Sequence, residues 1–255
     1  MSLLFWANII ALLFSFFVAG AILGALFSET VRTRLAKFVH PKLLELARSL
    51  QNPILKPGAH PWTAEAVMNP AAAVIENRTH LIYRAIGTDG VSRLGYASSP
   101  DGIIFDRRLP YPVYAARNPH NLAVHLRRYS PVMYPSGGSW GGCEDPRMVV
   151  IDGRVYITFN MFEHWKLRVA VIWMSTEDFL AGRFDAWRGP VVLSHSDRDK
   201  NWVLFPEKIG GQFAVLHSII GDDEHRVRVE YTNDLTTLRQ RNFVSPDPQK
   251  APDTP

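Results

Sequence analysis

Residues 139 to 147, Ser-Trp-Gly-Gly-Cys-Glu-Asp-Pro-Arg, gather two acids, an arginine and the sole cysteine into a short glycine-rich stretch. They lead directly into Met148-Val-Val-Ile-Asp-Gly-Arg-Val-Tyr-Ile, an alternating pattern typical of a strand, a turn and a strand. Adjacent carboxylates such as Glu144 and Asp145 are the raw material of acid–base chemistry, because burial or a like charge raises a carboxyl group's hold on its proton. A simple turn needs only the Asp-Pro pair, and Arg147 could equally serve as an ion-pair partner for either acid. Both readings stand on these residues alone.

Other polar residues recur at comparable places. Asn69-Pro70 opens one strand-like run, and Arg84 lies inside the apolar run Tyr83-Arg84-Ala85. Ser92-Arg93 heads the next run, Lys200-Asn201 precedes another, and His217 ends Phe213-Ala-Val-Leu-His. Asn69, Asp145 and Asn201 each stand just ahead of an inner strand, as a ring-shaped binding site requires. Taken singly, Arg84 also reads as a buried paired cation, and Lys200-Asn201 as a solvated loop.

Several chemistries are excluded by context. Gly137-Gly138-Ser139-Trp140-Gly141 matches the nucleophile-elbow pattern, but that elbow needs a strand before it and a helix after it. The nine histidines include no metalloprotease pair and no zinc spacing with cysteine, so no metal is expected. No phosphate-binding or dinucleotide-binding glycine loop occurs, and no aromatic-basic groove for nucleic acid.

The elements that must carry these residues are short strands. After residue 65 no amphipathic helix is evident. Three related units are present, each with an apolar strand, a tight turn, an aromatic-bearing strand, a polar loop and a further strand. The turns fall at Glu76-Asn77, Asp152-Gly153 and Gly210-Gly211, and each unit closes on a Ser/Thr-x-Asp-like turn at Asp101, Asp178 or Asp234. Stacked radially, such meanders form a β-propeller. The predicted fold class is therefore all-β, a propeller with about three blades, its strand-forming domain running from 52 to 245 and a polar tail over 246–255.

Ahead of that domain the composition changes. No charged residue lies between Leu3 and Phe27, a run long enough for a helix to cross the roughly 30 Å core of a bilayer. Residues 1–28 are thus expected to form a transmembrane helix, and 29–51 a juxtamembrane stalk broken at Pro41. Arg32, Arg34, Lys37, Lys42 and Arg48 follow the span, and no basic residue precedes it. The positive-inside rule then puts the globular part in the cytoplasm on a single-pass anchor. The net charge of +4 resides largely in this basic segment, which suits a bilayer surface, not nucleic acid.

Four motifs carry a resemblance. Asn52-Pro-Ile-Leu-Lys-Pro-Gly with Met68-Asn-Pro-Ala-Ala-Ala, Ser92-Arg-Leu-Gly-Tyr-Ala-Ser-Ser-Pro-Asp-Gly, Gly141-Gly-Cys-Glu-Asp-Pro-Arg and Asn201-Trp-Val-Leu-Phe-Pro-Glu-Lys resemble, in order, glycoside hydrolase family 130. That family comprises β-mannoside phosphorylases and β-mannosidases on a five-bladed propeller. The resemblance covers about Asn52 to Thr232 and stops before the family's last blades, so the chain is expected to be C-terminally incomplete. It implies Asp145 as general acid, relaying a proton through a mannose hydroxyl while phosphate attacks from the opposite face with inversion. It places Asn69, Arg84, Arg93, Glu144 and Arg147 against the sugar, and Lys200, Asn201 and His217 toward phosphate. Inorganic phosphate would be the co-substrate, with no cofactor, and a β-mannoside the partner. Ser218 departs from the family, which often has an arginine near that strand end, and this favours hydrolysis by water as the alternative. A non-catalytic carbohydrate-binding protein is the third reading, and open strand edges would favour self-association.

Overall fold

The structure, a computed structural model, describes residues 48–116, 138–163, 166–194, 196–218 and 227–240. The apolar run 3–27, nearly all of the stalk and the polar tail lie outside the described residues. Among the described residues no helix is long and apolar enough to cross a membrane. All the strands belong to the compact unit that begins at Gln51.

The first sheet contains β1 (Ala66–Ile75), β2 (Arg78–Ile86), β3 (Val91–Ser99) and the two-residue β4 (Arg107–Arg108), joined in that order and antiparallel throughout. The second repeats the plan with β5 (Gly141–Ile151), β6 (Arg154–Glu163), β7 (Lys166–Ser175) and β8 (Arg188–Val192). The third has β9 (Val203–Leu204), β10 (Phe213–Ser218) and β11 (Val227–Thr232). These are the three units expected from the sequence.

The repetition has a local cause. All three first turns use two successive residues with positive φ: Glu76 and Asn77 at +47° and +59°, Asp152 and Gly153 at +49° and +70°, Gly210 and Gly211 at +59° and +80°. Mirror-image hairpin turns need this geometry to match strand twist. The third strand of each unit also ends alike. Ser99 Oγ lies 2.8 Å from Asp101 Oδ1, and Thr232 Oγ1 accepts the Asp234 N–H at 3.1 Å. At Asp178 the expectation of a plain turn is corrected: Ser175 caps a short helix, α1 (Thr176–Leu180), by accepting the Asp178 N–H at 3.0 Å. One turn of helix is too short to display an amphipathic period.

Two apolar cores lie between the sheets. The first joins Ile82, Leu94 and Tyr96 to Met148, Ile157, Phe159 and Ile172, and includes Cys143. The second joins Tyr156, Val169 and Val171 to Trp202, Leu204, Phe213 and Val215. Each large side chain so buried contributes about 1.5–3 kcal/mol of transfer free energy. The first two sheets also meet through a two-residue parallel ladder, Val91 with Gly141 and Ser92 with Gly142. Backbones approach so closely there that a Cβ at Gly142, where φ is +107°, would stand 2.1 Å from the Ser92 carbonyl oxygen.

Candidate active site

The site grows out of two interrupted ladders. Pairing of β1 with β2 shifts between Met68 and Ala71, and that of β5 with β6 between Glu144 and Arg147. Pro70 and Pro146 fall in those gaps. Proline has no N–H for the ladder, so both strands bulge at the X-Pro step. The residue ahead of each proline is turned into the left-handed region, Asn69 at φ +46° and Asp145 at +48°. Asn and Asp tolerate that region better than other non-glycine residues. Contact between β1 and β5 then lets Asn69 Nδ2 donate to Asp145 Oδ1 at 2.6 Å.

Arg84, on β2 and 2% exposed, organises the same carboxylates. Its Nη1 donates to Asp145 Oδ1 at 3.2 Å, Nη2 to Glu144 Oε1 at 3.0 Å and to Ser139 Oγ at 2.9 Å, and Nε to Ser92 Oγ at 2.9 Å. Ser139 in turn donates to Glu144 Oε1 at 2.6 Å. The two neighbouring acids therefore differ sharply. Glu144 is fully buried and committed to Arg84 and Ser139, whereas the Asp145 side chain is 20% exposed. Oδ2 of Asp145 makes no hydrogen bond among the described residues. One buried cation thus holds a fully buried carboxylate with one nitrogen and a partly exposed one with another.

The remaining expected residues divide. Arg147 does not pair with either acid's carboxylate; its Nη1 donates to the backbone carbonyls of Asp145 and Pro146 at 2.9 and 3.1 Å, bracing the bulge. Arg93 makes a two-point ion pair with Asp89, at 3.0 and 2.6 Å. Burial alone would push the Asp89 carboxyl up, but Arg93 and the Val91 N–H outweigh it and hold it below the usual range. Asn201, the third member of the positive-φ set at +62°, is exposed, and Lys200 beside it is exposed too. His217 is buried, stacked on Trp202 with ring centres 4.3 Å apart, and its Nε2 lies 2.7 Å from Glu230 Oε1. The Ser218 side chain lies outside the described residues.

Two participants escape a reading of the sequence. Asn160 accepts the Asn201 N–H at 2.9 Å and donates to its side-chain oxygen at 3.3 Å, fixing the left-handed turn that leads into β9. Its signal is available in principle, since Asn160 interrupts an apolar strand as Arg84 does, each opposite the residue before a bulge. Ser139 is the other: set aside as a failed nucleophile, it is a buried ligand of Glu144. Cys143 is no nucleophile either, since complete burial pushes its thiol up to about 12.

No protein-family model matches the chain. Over 201 residues it is 34% identical to a 1,2-β-oligomannan phosphorylase of Thermoanaerobacter sp. (strain X514), covering 76% of this chain and 58% of that protein. A β-1,2-mannobiose phosphorylase of the same organism is 31% identical over 198 residues, covering 71% of this chain and 56% of that protein. In sequence the chain is thus similar to two mannoside phosphorylases. It spans somewhat more than half the length of those curated proteins.

Its fold agrees. A solved structure from work on family 130 hydrolases that target β-1,2-mannosidic linkages in Candida mannan matches with a TM-score of 0.53 at 23% identity, over 76% of this chain and 58% of that one. The β-1,2-mannobiose phosphorylase of Listeria innocua, solved with β-1,2-mannobiose, gives a TM-score of 0.52 at 15% identity, over 76% and 64%. The predominantly β architecture of the described residues is thereby shared with these solved structures.

Proposed function

We propose that this chain carries the acid-bearing part of an inverting β-mannoside phosphorylase, with Asp145 as the general acid. The observation that supports this most directly is the asymmetric holding of Asp145. Asn69 and Arg84 both engage Oδ1, which leaves Oδ2 as the oxygen able to present a proton. Glu144 cannot play the part, because it is sealed and already bonded.

The reaction then runs as a displacement. The Asp145 carboxyl gives its proton, through a hydroxyl of the mannose, to the glycosidic oxygen. The C1–oxygen bond breaks as a phosphate oxygen bonds to C1 from the opposite face, giving mannose 1-phosphate with inverted configuration and the shortened saccharide. A bulk proton restores the acid. Inversion needs the acid and the nucleophile on opposite sides of the ring. Exposed Lys200 and Asn201 supply a cation and a donor for phosphate.

One observation favours hydrolysis as a second reading. His217 is committed to Glu230 inside the third sheet, so it is not presented to an anion. A binding protein without catalysis is the third. The uncharged run Leu3–Phe27 and the basic residues after it support a single-pass anchor with this domain on the cytoplasmic side. Retention of the full chain in the membrane pellet after alkaline extraction is the check on that anchor.

The deciding experiment incubates the full chain in detergent with β-1,2-mannobiose, with and without phosphate. Mannose 1-phosphate formed only with phosphate, and lost in Asp145→Asn, supports phosphorolysis. Free mannose in both buffers transfers the reading to hydrolysis. No product from folded protein overturns catalysis by this chain.

A further inference from the structure

At the other end of the second sheet, away from Asp145, a cleft of about 380 Å³ opens between the second and third sheets. Along β5, residues 145 to 152 separate the two places, roughly 20 Å at strand rise. The cleft's volume lies within the range of roughly 300–1,000 Å³ that small-molecule sites occupy. No step of the proposed reaction uses it.

Its chemistry is specific. The floor is aromatic: Tyr156 and Trp173 lie nearly parallel, 24° apart with centres 6.4 Å apart, and Phe213 meets Tyr156 edge-on at 5.6 Å. Tyr156 and Phe213 are buried, whereas Trp173 is only partly so. The pairing of β7 with β8 shifts between Val171 and Trp173, and such a bulge re-aims a side chain out of strict alternation. The rim is polar and electrically balanced. Asp152 and Asp234 oppose Arg154 and Lys208, and Lys208 spans the sheets by bonding Asp152 at 2.8 Å while its ammonium sits 4.9 Å from the Phe213 ring centre. Asn233 adds an exposed carboxamide.

A single-sign rim would suit a phosphate or an amine. A balanced rim over an indole face suits a neutral, polyhydroxylated ring, whose C–H face packs on the aromatic while its hydroxyls bond the rim. We propose that this cleft is a second, non-catalytic saccharide site that holds a hexose unit of an oligosaccharide against Trp173. The proposal rests on the β-mannoside reading only for the choice of sugar. Bound there, a long chain is retained between turnovers at the Asp145 site, so the cleft raises affinity for long substrates and leaves disaccharides unaffected.

The test uses the full chain as Asp145→Asn, titrated with β-1,2-mannotetraose and followed by saturation-transfer NMR and calorimetry. Trp173→Ala is expected to weaken binding by about tenfold, the scale of one lost aromatic contact, and separately Asn233→Ala on the rim by about fivefold, the scale of one lost hydrogen bond. Trp173 also packs on the second core, so Asn233→Ala guards against a folding defect. In the Asp145-containing protein, the same two changes should raise KM for the tetraose and leave β-1,2-mannobiose turnover unchanged. Equal tetraose affinity in folded cleft variants, or no saturable binding in Asp145→Asn, overturns the site. Absence of mannobiose turnover in wild type, with cleft-dependent tetraose binding intact, sinks the catalytic reading alone.

Discussion

Asn69 and Asp145, on the opening strands of adjacent sheets, share one backbone conformation and meet through a 2.6 Å hydrogen bond. Each precedes a proline at a bulge, so the pairing repeats a single local device in two copies of one unit. The device costs free energy: a non-glycine residue in a sparsely populated backbone region costs on the order of 1–3 kcal/mol. Its persistence twice, face to face, ties the strain to the place where the side chains converge.

Asn69 separates backbone from side chain. Asn69→Gly keeps φ near +46° without strain but loses the bond to Asp145. Asn69→Val loses the bond and adds a β-branched residue in the left-handed region. Both should lower kcat on β-1,2-mannobiose comparably, while only the valine variant loses thermal stability beyond about 1 kcal/mol. Equal melting temperatures would show that the bulge carries no strain.

Glu144 is a structural acid. Glu144→Gln leaves the Arg84 guanidinium buried with its strongest compensating charge removed, and removing one partner of a buried pair costs about 3–5 kcal/mol. Chemical denaturation should show this loss, and Ser139→Ala a smaller one near 1–2 kcal/mol. Asp145→Asn, at a partly exposed position, should retain most of the stability while losing activity by about 10²–10⁴-fold.

His80 sets an acid limit on stability. It is buried, bonded at 2.8 Å to the Tyr96 hydroxyl, and burial holds its pKa below the ordinary 6.5. The unfolded chain therefore takes up a proton below about pH 6.5 that the folded chain refuses, so this contribution is full above that pH and falls as pH drops. The slope approaches about 1.4 kcal/mol per pH unit for one group. Urea midpoints at pH 7.5 and 5.5 should differ less in His80→Gln than in wild type.

Cys143 reports unfolding. With its thiol buried and pushed up to about 12, it should resist iodoacetamide at pH 8 in the native state and react on denaturation. Labelling as fast as a free thiol in native buffer would contradict the first core as described.

Strand content and the three-unit repeat were legible because tight turns and alternation are local properties: Glu76-Asn77, Asp152-Gly153 and Gly210-Gly211 declare themselves within a few residues. The convergence of Asn69 on Asp145 was legible only as a repeated position. What stayed hidden was partnership between side chains. Nothing in the run Tyr83-Arg84-Ala85 says that its guanidinium divides between two acids some 60 residues away, nor that Arg93 turns to Asp89 and His217 to Glu230. Asn160 could be seen as a polar interruption, but its bond to Asn201 depends on how two sheets pack.

The ladder between Val91-Ser92 and Gly141-Gly142 also sets the order in which the molecule comes apart. Main-chain bonds run unbroken from β1 to β8, whereas β9–β11 form a separate sheet whose attachment rests largely on side-chain packing. Slowly exchanging amides should therefore cluster in the first two sheets, and the third should open first in partial unfolding. Such an opening would carry away Asn201 and leave the Asn69–Asp145 pair assembled, a molecule with one half of its candidate site intact and the other released.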